Sequence, residues 1–234
     1  ASTSDVDRRA LARMMVGREI IFNLEKKKIE QGAVVLEVEN LTVPGDRKDT
    51  AVRGVSFRIH RSEIFGIAGV SGNGQRELVE AVTGLRRVSS GSVRIEGSEL
   101  ANASAGILAA RGMAHVPEER IRFGIVPNLF VYENAVLKRH RSRLFSRFLF
   151  LDYKSIRKHA SGLVESFGIA APSLDIPVRA LSGGNIQKLI LGREISGEPS
   201  LLVAAHPTYG LDVGATEYIR RQLLQLRERG AAVL

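Results

Sequence analysis

The order of apolar and polar residues predicts strands in the first part of the chain and mainly helices in its middle. Strict alternation or short apolar runs bounded by turn residues predict these strands: residues 35–39, 51–59, 63–69, 92–96 and 201–205. Helical spacing dominates residues 101–197 and also occurs outside them. The predicted helices are residues 4–28, a helix ending at Gly84, and residues 153–167, 185–195 and 215–229.

Strands interleaved with helices predict an α/β fold in which the helical middle is an inserted subdomain. The first 33 residues differ from the rest, because a helix opened by Ser4 and Asp7 as a capping box gives way to strand alternation after Gly32. We therefore expect a leader helix and linker over residues 1–33 and one domain over residues 34–234. The apolar residues 231–234 resemble the start of a strand, so we expect this domain to be truncated at its C-terminal end.

Composition narrows the class of protein. The chain of 234 residues is 44% hydrophobic and 25% charged, without cysteine and without an apolar run long enough for a membrane span. These values predict a soluble protein of the cytoplasm. The formal net charge of +9 fits nucleic acid, a membrane surface or phosphate ligands equally well. The basic residues are densest at residues 138–147, which form either a solvated face or a contact with a membrane or partner.

The first chemical pattern is a glycine-rich turn between a predicted strand and a predicted helix. Such a turn directs backbone N–H groups at phosphate, and the helix N-terminus adds a positive dipole. Its glycines match a P-loop, but Gln75 stands where lysine would contact phosphate and Arg76 where a hydroxyl would ligate Mg²⁺. The candidate nucleotide-binding residues are Gly69, Ser71, Gly72, Asn73, Gly74, Gln75 and Arg76.

The second pattern is a serine followed by two glycines at the start of the helix predicted over residues 185–195. The free N–H groups of the first helical turn and a serine hydroxyl can bind an anion. Taken alone, the pattern also fits a common helix cap. The candidate residues are Ser182, Gly183, Gly184, Asn185 and Gln187.

These two patterns, followed by the sequence LLVAAHPT at residues 201–208, resemble the ATP-binding cassette family over residues 34–234. The resemblance implies a P-loop NTPase-like core with a mixed sheet, an antiparallel β subdomain and an α-helical subdomain at about residues 115–195. It identifies LSGGN as the signature loop, Glu118 as the Q-loop position and Asp212 as part of the D-loop. These segments are similar to the second half of tandem ATPases that import simple sugars or nucleosides, and AAHPT favours the nucleoside branch.

The resemblance also implies partner proteins. Two cassettes bind ATP between the P-loop of one and the signature loop of the other. We therefore expect a second cassette, which would be the N-terminal half of the same polypeptide, together with membrane permease subunits and, indirectly, a substrate-binding protein. The leader would then be the tail of the first cassette, and the location would be peripheral on the inner face of the cell membrane.

The departures from the family pattern concern catalysis. Ala205 replaces the aspartate that anchors Mg²⁺, His206 replaces the glutamate that polarises water, and residues 40–55 contain no aromatic side chain to stack on adenine. General-base catalysis alone contributes about 10²–10⁴ in rate. We expect weak or absent ATP binding at this P-loop, no metal ligands, Mg²⁺ only at the partner site, and no hydrolysis by the isolated domain.

Two other functions are consistent with parts of the sequence. A regulatory module that binds nucleotide without hydrolysis would need only the glycine-rich backbone turn. A nucleic-acid ATPase of the same superfamily would use the basic charge, but the basic residues are dispersed and the chain lacks cysteine zinc modules. We therefore expect no nucleic-acid partner.

Overall fold

The computed structural model describes residues 24–47, 49–148 and 150–234. The helix predicted over residues 4–28 lies outside the described residues as far as residue 23. Residues 24–28 are not helical, so the predicted C-terminal end of this helix is wrong.

The chain forms two compact units. The sheet unit comprises Lys28–Glu119, Gly192–His206 and Leu226–Leu234. The helical unit comprises Arg120–Leu191 and Pro207–Gln225 together with the described residues 24–27. Glu118 at the Q-loop position therefore belongs to the sheet unit. The signature-like segment, residues 181–187, belongs to the helical unit.

An antiparallel sheet in the order β2-β1-β3-β4 forms one part of the sheet unit. Its strands are β1 Val34–Pro44, β2 Thr50–His60, β3 Ser90–Ile95 and β4 Ser98–Glu99. The buried residues of β1 are Val35, Leu36 and Val38 before Asn40, and Leu41 and Val43 after it. Asn40 has a φ of 49° and coincides with a register shift, so a bulge keeps the apolar side chains on the core face.

A parallel sheet forms the other part of the sheet unit, in the order β5-β8-β9. Its strands are β5 Met113–Val116, β8 Leu201–Ala204 and β9 Ala232–Val233. The strand predicted over residues 63–69 is wrong beyond its start, because only Ile64 forms a bridge, to Val233. Residues 66–73 are exposed, so their apolar side chains find no core that would hold them in a strand.

The helices of the sheet unit include α1 Gln75–Val82 and α2 Ala105–Ala110. Leu78 and Val82 of α1 are buried in the same hydrophobic cluster as Leu36 and Leu41 of β1. This apolar face fixes α1 against the antiparallel sheet, and it thereby fixes the glycine-rich turn that precedes α1.

The helical unit contains short helices joined by turns and one β-hairpin. Its elements include a π-helical turn Arg120–Gly124, α3 Val131–Ala135, β6 Ser146–Arg147, β7 Phe150–Leu151, α4 Tyr153–Ser166 and a 3-10 turn Val178–Ala180. Helices α5 Gly183–Ile195 and α6 Val213–Glu228 follow; each begins in the helical unit, and their last residues, 192–195 and 226–228, belong to the sheet unit. The middle of the chain is thus less helical than predicted, since β5 and the β6–β7 hairpin interrupt it. Helix α4 matches its predicted range closely because Asp152 caps it and Ile156, Ala160 and Leu163 are buried.

Candidate functional site

The glycine-rich turn lies directly before α1, where the backbone conformation requires glycine. Gly72 and Gly74 have φ values of 90° and 92°, and Gly74 is the N-cap of α1. A Cβ on Gly74 would also lie 2.5 Å from the carbonyl oxygen of Ala51 in β2. The turn is therefore held both by its own dihedral angles and by close packing against β2.

The two side chains after this turn contact the protein itself. The side-chain amide of Gln75 folds back over Gly69, so that a Cβ on Gly69 would collide with it. The Arg76 guanidinium forms ion pairs with Asp46 in the β1–β2 turn, with Glu77 at 3.0 Å and with Glu80 at 3.9 Å. Its positive charge is thus compensated by carboxylates of the same unit.

Asp46 links Arg76 to a second arginine. Arg86 Nη2 donates to Asp46 Oδ1 at 2.7 Å, and Arg86 Nε donates to Glu80 at 2.7 Å. Hydrogen bonds from Arg86 and Arg76 lower the pKa of Asp46, and hydrogen bonds to Glu77 and Asp46 raise the pKa of Arg76. These five charged side chains tie α1 to the β1–β2 turn, an arrangement that no local sequence pattern predicts.

Glu118, Ala205 and His206 follow the carboxyl ends of neighbouring parallel strands. Glu118 is exposed two residues after β5, and Ala205 N donates to Val116 O at 2.9 Å just beyond β8. His206 is exposed with a φ of 44°, in the left-handed region. Open α/β sheets bind ligands at this edge.

The glycine-rich turn leaves the same sheet at the same edge. Phe65 N donates to Val233 O at 2.8 Å, and Val233 N donates to Glu63 O at 2.9 Å, which extends the parallel sheet past β9. Ala205 contributes no side-chain oxygen there. Among residues 24–47, 49–148 and 150–234, no cluster of three or more His, Asp or Glu side chains is arranged to hold a metal ion.

The signature-like segment opens α5 in the helical unit. Ser182 is exposed, and its Oγ accepts hydrogen bonds from Asn185 Nδ2 at 2.9 Å and Asn185 N at 3.4 Å. Asn185 Oδ1 in turn accepts from Ala170 N at 2.9 Å. The serine hydroxyl thus sits at the exposed N-terminal end of a 13-residue helix.

Gly183 and Gly184 have no positive φ. A Cβ on Gly184 would make ordinary contacts of 3.6 Å with Ala215 Cβ and 3.7 Å with Asp212 Oδ2. The three atoms nearest a Cβ on Gly183 all belong to the Arg120 guanidinium group, with Nη2 at 3.1 Å, so that side chain would have to shift slightly. The fold of the helical unit therefore does not itself require glycine at either position.

One side chain of this segment, that of Gln187, bonds to residues 207–212, and Asp212 and Arg120 make further hydrogen bonds within or to that stretch. Gln187, which is buried, donates from Nε2 to Pro207 O at 2.9 Å, and Asp212 Oδ1 accepts from Ala215 N at 2.8 Å to cap α6. Arg120 Nη1 donates to Tyr209 O at 2.9 Å and Nη2 to Gly210 O at 3.5 Å. No periodicity in the sequence indicates the contact of Arg120 with Tyr209, because the two residues are 89 positions apart.

A family model described as "ABC transporter" matches residues 52–209, which include both glycine-rich segments and the residues after β8. The chain belongs to the ABC transporter family. The resemblance to the family's ATP-binding domain is thus confirmed. Among the described residues of this family member, no helix is long and apolar enough to cross a membrane.

Similar proteins of the ABC family are import ATP-binding proteins. The chain is 46% identical to the glucose import ATP-binding protein of Haloferax volcanii, over 100% of this chain and 43% of that protein. It is 41% identical to the nucleoside import ATP-binding protein of Lactococcus lactis subsp. cremoris, over 98% and 46%. A ribose import ATP-binding protein of Rubrobacter xylanophilus is 38% identical over 99% and 45%. The chain therefore spans less than half the length of these relatives.

Solved ABC cassettes share the fold. A nucleotide-free ATP-binding cassette superposes with a TM-score of 0.70 at 22% identity, covering 86% of this chain and 80% of the other. A cassette in a dimeric post-hydrolysis state bound to ADP and Pi gives 0.70 at 23%, covering 85% of each. The predicted fold class, a P-loop NTPase core with mixed sheets and helices, is confirmed.

Proposed function

We propose that this chain is the second nucleotide-binding half of a tandem ATPase that drives import of a simple sugar or a nucleoside. The similar glucose, nucleoside and ribose import proteins support this proposal. The chain spans only 43–46% of the length of these three relatives, which is consistent with two cassettes in each. Residues 1–33 would then be the end of the first cassette, and residues 34–234 the second cassette, with its helical subdomain at about 115–195.

Within this ATPase, Ser182, Gly183 and Gly184 act on ATP held by the P-loop of the first cassette. The support for this step is that the fold itself does not require glycine at positions 183 and 184. Because glycine is a poor helix former, its presence there points to a role other than folding. Small residues at an exposed helix start let a partner's phosphate approach the N–H groups closely. Each well-placed donor to the terminal phosphate contributes about 2.7–4 kcal/mol in the transition state.

The P-loop of this chain, by contrast, lacks side chains that would bind Mg²⁺. Arg76 is paired with carboxylates, and Ala205 offers no oxygen, so the residues present do not fit Mg²⁺. ATP would be bound there only by the backbone N–H groups of residues 71–75, and therefore weakly. His206 does not act as a base in this account. The first cassette supplies the Mg²⁺ site, and permease subunits and a substrate-binding protein complete a complex on the inner face of the membrane.

Titration of the 234-residue chain with ATP, once with Mg²⁺ and once with chelator, tests the proposal for the P-loop. We expect weak binding that is the same in both conditions, because Mg²⁺ gains no contact with the protein. We also expect no hydrolysis above background. A sub-micromolar dissociation constant that vanishes with chelator would contradict the proposal, as would steady hydrolysis that Gln75→Ala abolishes.

A non-hydrolysing regulatory module is the second candidate function. The observation that favours it is the intact backbone of the glycine-rich turn, with Gly72 and Gly74 in left-handed conformations before α1. Tight binding of ATP that persists in chelator would support this candidate. Weak binding in both conditions would favour the role in trans.

A further inference from the structure

The β6–β7 hairpin of the helical unit places aromatic side chains in solvent. Phe148 is 94% exposed and Phe150 is 77% exposed, and Leu144 beside the hairpin is 61% exposed. Phe148 also has a φ of 59°, which is rare for a bulky residue. Exposed apolar side chains grouped in this way mark a surface that contacts an apolar or amphipathic partner.

The base of this hairpin is anchored firmly. Phe145 is fully buried, and its ring lies 4.9 Å from the His159 ring and 5.9 Å from the Arg139 guanidinium. Asp152 N donates to Phe145 O at 2.9 Å, which joins the hairpin to the start of α4. The aromatic tip is thus presented from a packed support.

The surrounding charge is positive. Residues 138–147 contain five Lys or Arg and no Asp or Glu. Arg147 is 87% exposed and its nearest carboxylate, that of Asp152, lies at 3.8 Å. Arg141 and Arg143 are exposed, and the described part of the chain provides neither with an ion-pair partner. We call residues 138–148 and 150–151 the basic hairpin.

We propose that the basic hairpin binds the surface of an anionic phospholipid bilayer. The arginines contact lipid phosphates, while Phe148 and Phe150 enter the boundary between headgroups and acyl chains. Leu144 and Leu151 favour lipid over nucleic acid, because aliphatic side chains cannot stack on bases. This inference concerns direct contact with lipid and does not depend on a permease or on nucleotide.

Co-sedimentation of the chain with lipid vesicles tests the proposal. We expect binding to vesicles that contain phosphatidylglycerol, little binding to pure phosphatidylcholine, and a decrease with added salt. Arg141→Glu combined with Arg143→Glu should weaken binding about tenfold or more. The matched control, Arg220→Glu combined with Arg229→Glu, makes the same change in net charge at exposed positions outside the hairpin and should weaken it much less.

The aromatic contribution is measured separately. Phe148→Ser should reduce vesicle binding several-fold, whereas Phe123→Ser, at a residue that is 58% exposed outside the hairpin, should not. Unchanged thermal melting of each variant shows that the fold is retained. Equal binding to both vesicle types, or equal losses in the hairpin and control variants, would overturn the proposal. Hairpin variants that keep vesicle binding but lose association with a permease would assign the surface to a protein instead.

Discussion

The chain contains two glycine-rich segments that each open a helix, and their glycines differ in what holds them. In the turn before α1, Gly74 has a φ of 92° and packs against the Ala51 carbonyl. At the start of α5, Gly183 and Gly184 have no positive φ, and the nearest atoms that an added Cβ would meet belong to the side chains of Arg120, Ala215 and Asp212. The first segment needs glycine for its own fold, whereas the second has glycine that the fold could replace.

The side chains of the two segments also differ, because those after the first turn contact the protein itself and the serine of the second segment is exposed. Gln75 and Arg76 after the first turn contact Gly69 and Asp46, so they are engaged within the sheet unit. Ser182 in the second segment is exposed at a helix N-terminus. The glycine-rich turn thus combines a backbone that requires glycine with side chains that contact the sheet unit itself. Under the proposed function, the segment with replaceable glycines is the one that acts.

The largest expected effect on stability separates the two segments. Gly74→Ala should lower the free energy of unfolding by about 3 kcal/mol, because alanine is strained at this φ and its Cβ would meet a backbone oxygen. Gly162→Ala, inside α4 with nothing within 4 Å, should instead raise it by about 0.5–1 kcal/mol. Urea unfolding measures both. A neutral Gly74→Ala would show that the turn is not held as described.

Loss of the Arg120 side chain should impair function more than stability. Arg120→Ala removes the donors to the carbonyl groups of Tyr209 and Gly210, and it removes a guanidinium that lies beside Gly183 of the signature segment. We expect hydrolysis by the assembled transporter to fall about tenfold, since small displacements of positioned groups reduce rates strongly. Arg220→Ala, at an exposed residue of α6, is the control. Equal hydrolysis rates in the two variants would show that Arg120 does not position the signature segment.

A single methyl group at the second segment gives a comparable test. Gly184→Ala fits at ordinary contact distances, so the free energy of unfolding should change by less than about 1 kcal/mol. Hydrolysis by the assembled transporter should nevertheless fall about tenfold, because the methyl group would displace the approaching phosphate. If hydrolysis stays at the wild-type rate, the glycine has no role in trans.

The smallest effect concerns the ion pairs around Arg76. Asp46→Asn should lower the melting temperature slightly at pH 7, because Arg86 and Arg76 lose their shared carboxylate. The folded pKa of Asp46 is lowered, so its contribution is present above the unfolded value of about 3.9 and is lost as pH falls through the folded pKa. The difference between wild type and variant should therefore disappear in acid.

Sequence patterns predicted elements that have a buried face and a clear end. Helix α4 is such a case, with a capping aspartate and three buried apolar residues at helical spacing. The segment 63–69 was predicted as a strand from its apolar content, but Ile64 and Ile67 are each 41% exposed and only its start pairs with β9. An apolar run does not reveal whether a neighbouring strand is available to it.

Contacts between side chains far apart in the chain were beyond sequence reasoning. The pairing of Arg76 with Asp46 joins residues separated by 30 positions, and neither residue has a periodic neighbour that would indicate it. The link from Arg120 to Tyr209 is of the same kind. Such contacts depend on the packing of β-turns and loops, which local patterns do not encode.

Under the proposed function, the signature segment works on a partner's ATP while the P-loop of this chain does not hydrolyse its own. The most direct test compares two variants in the full two-cassette protein with its permease, measuring ATP hydrolysis and uptake together. Ser182→Arg should abolish both, Ser161→Arg on the exposed face of α4 should change neither, and Gln75→Ala should lower both modestly. Full hydrolysis in Ser182→Arg together with its loss in Gln75→Ala would show that hydrolysis depends on this chain's own P-loop and not on its signature segment.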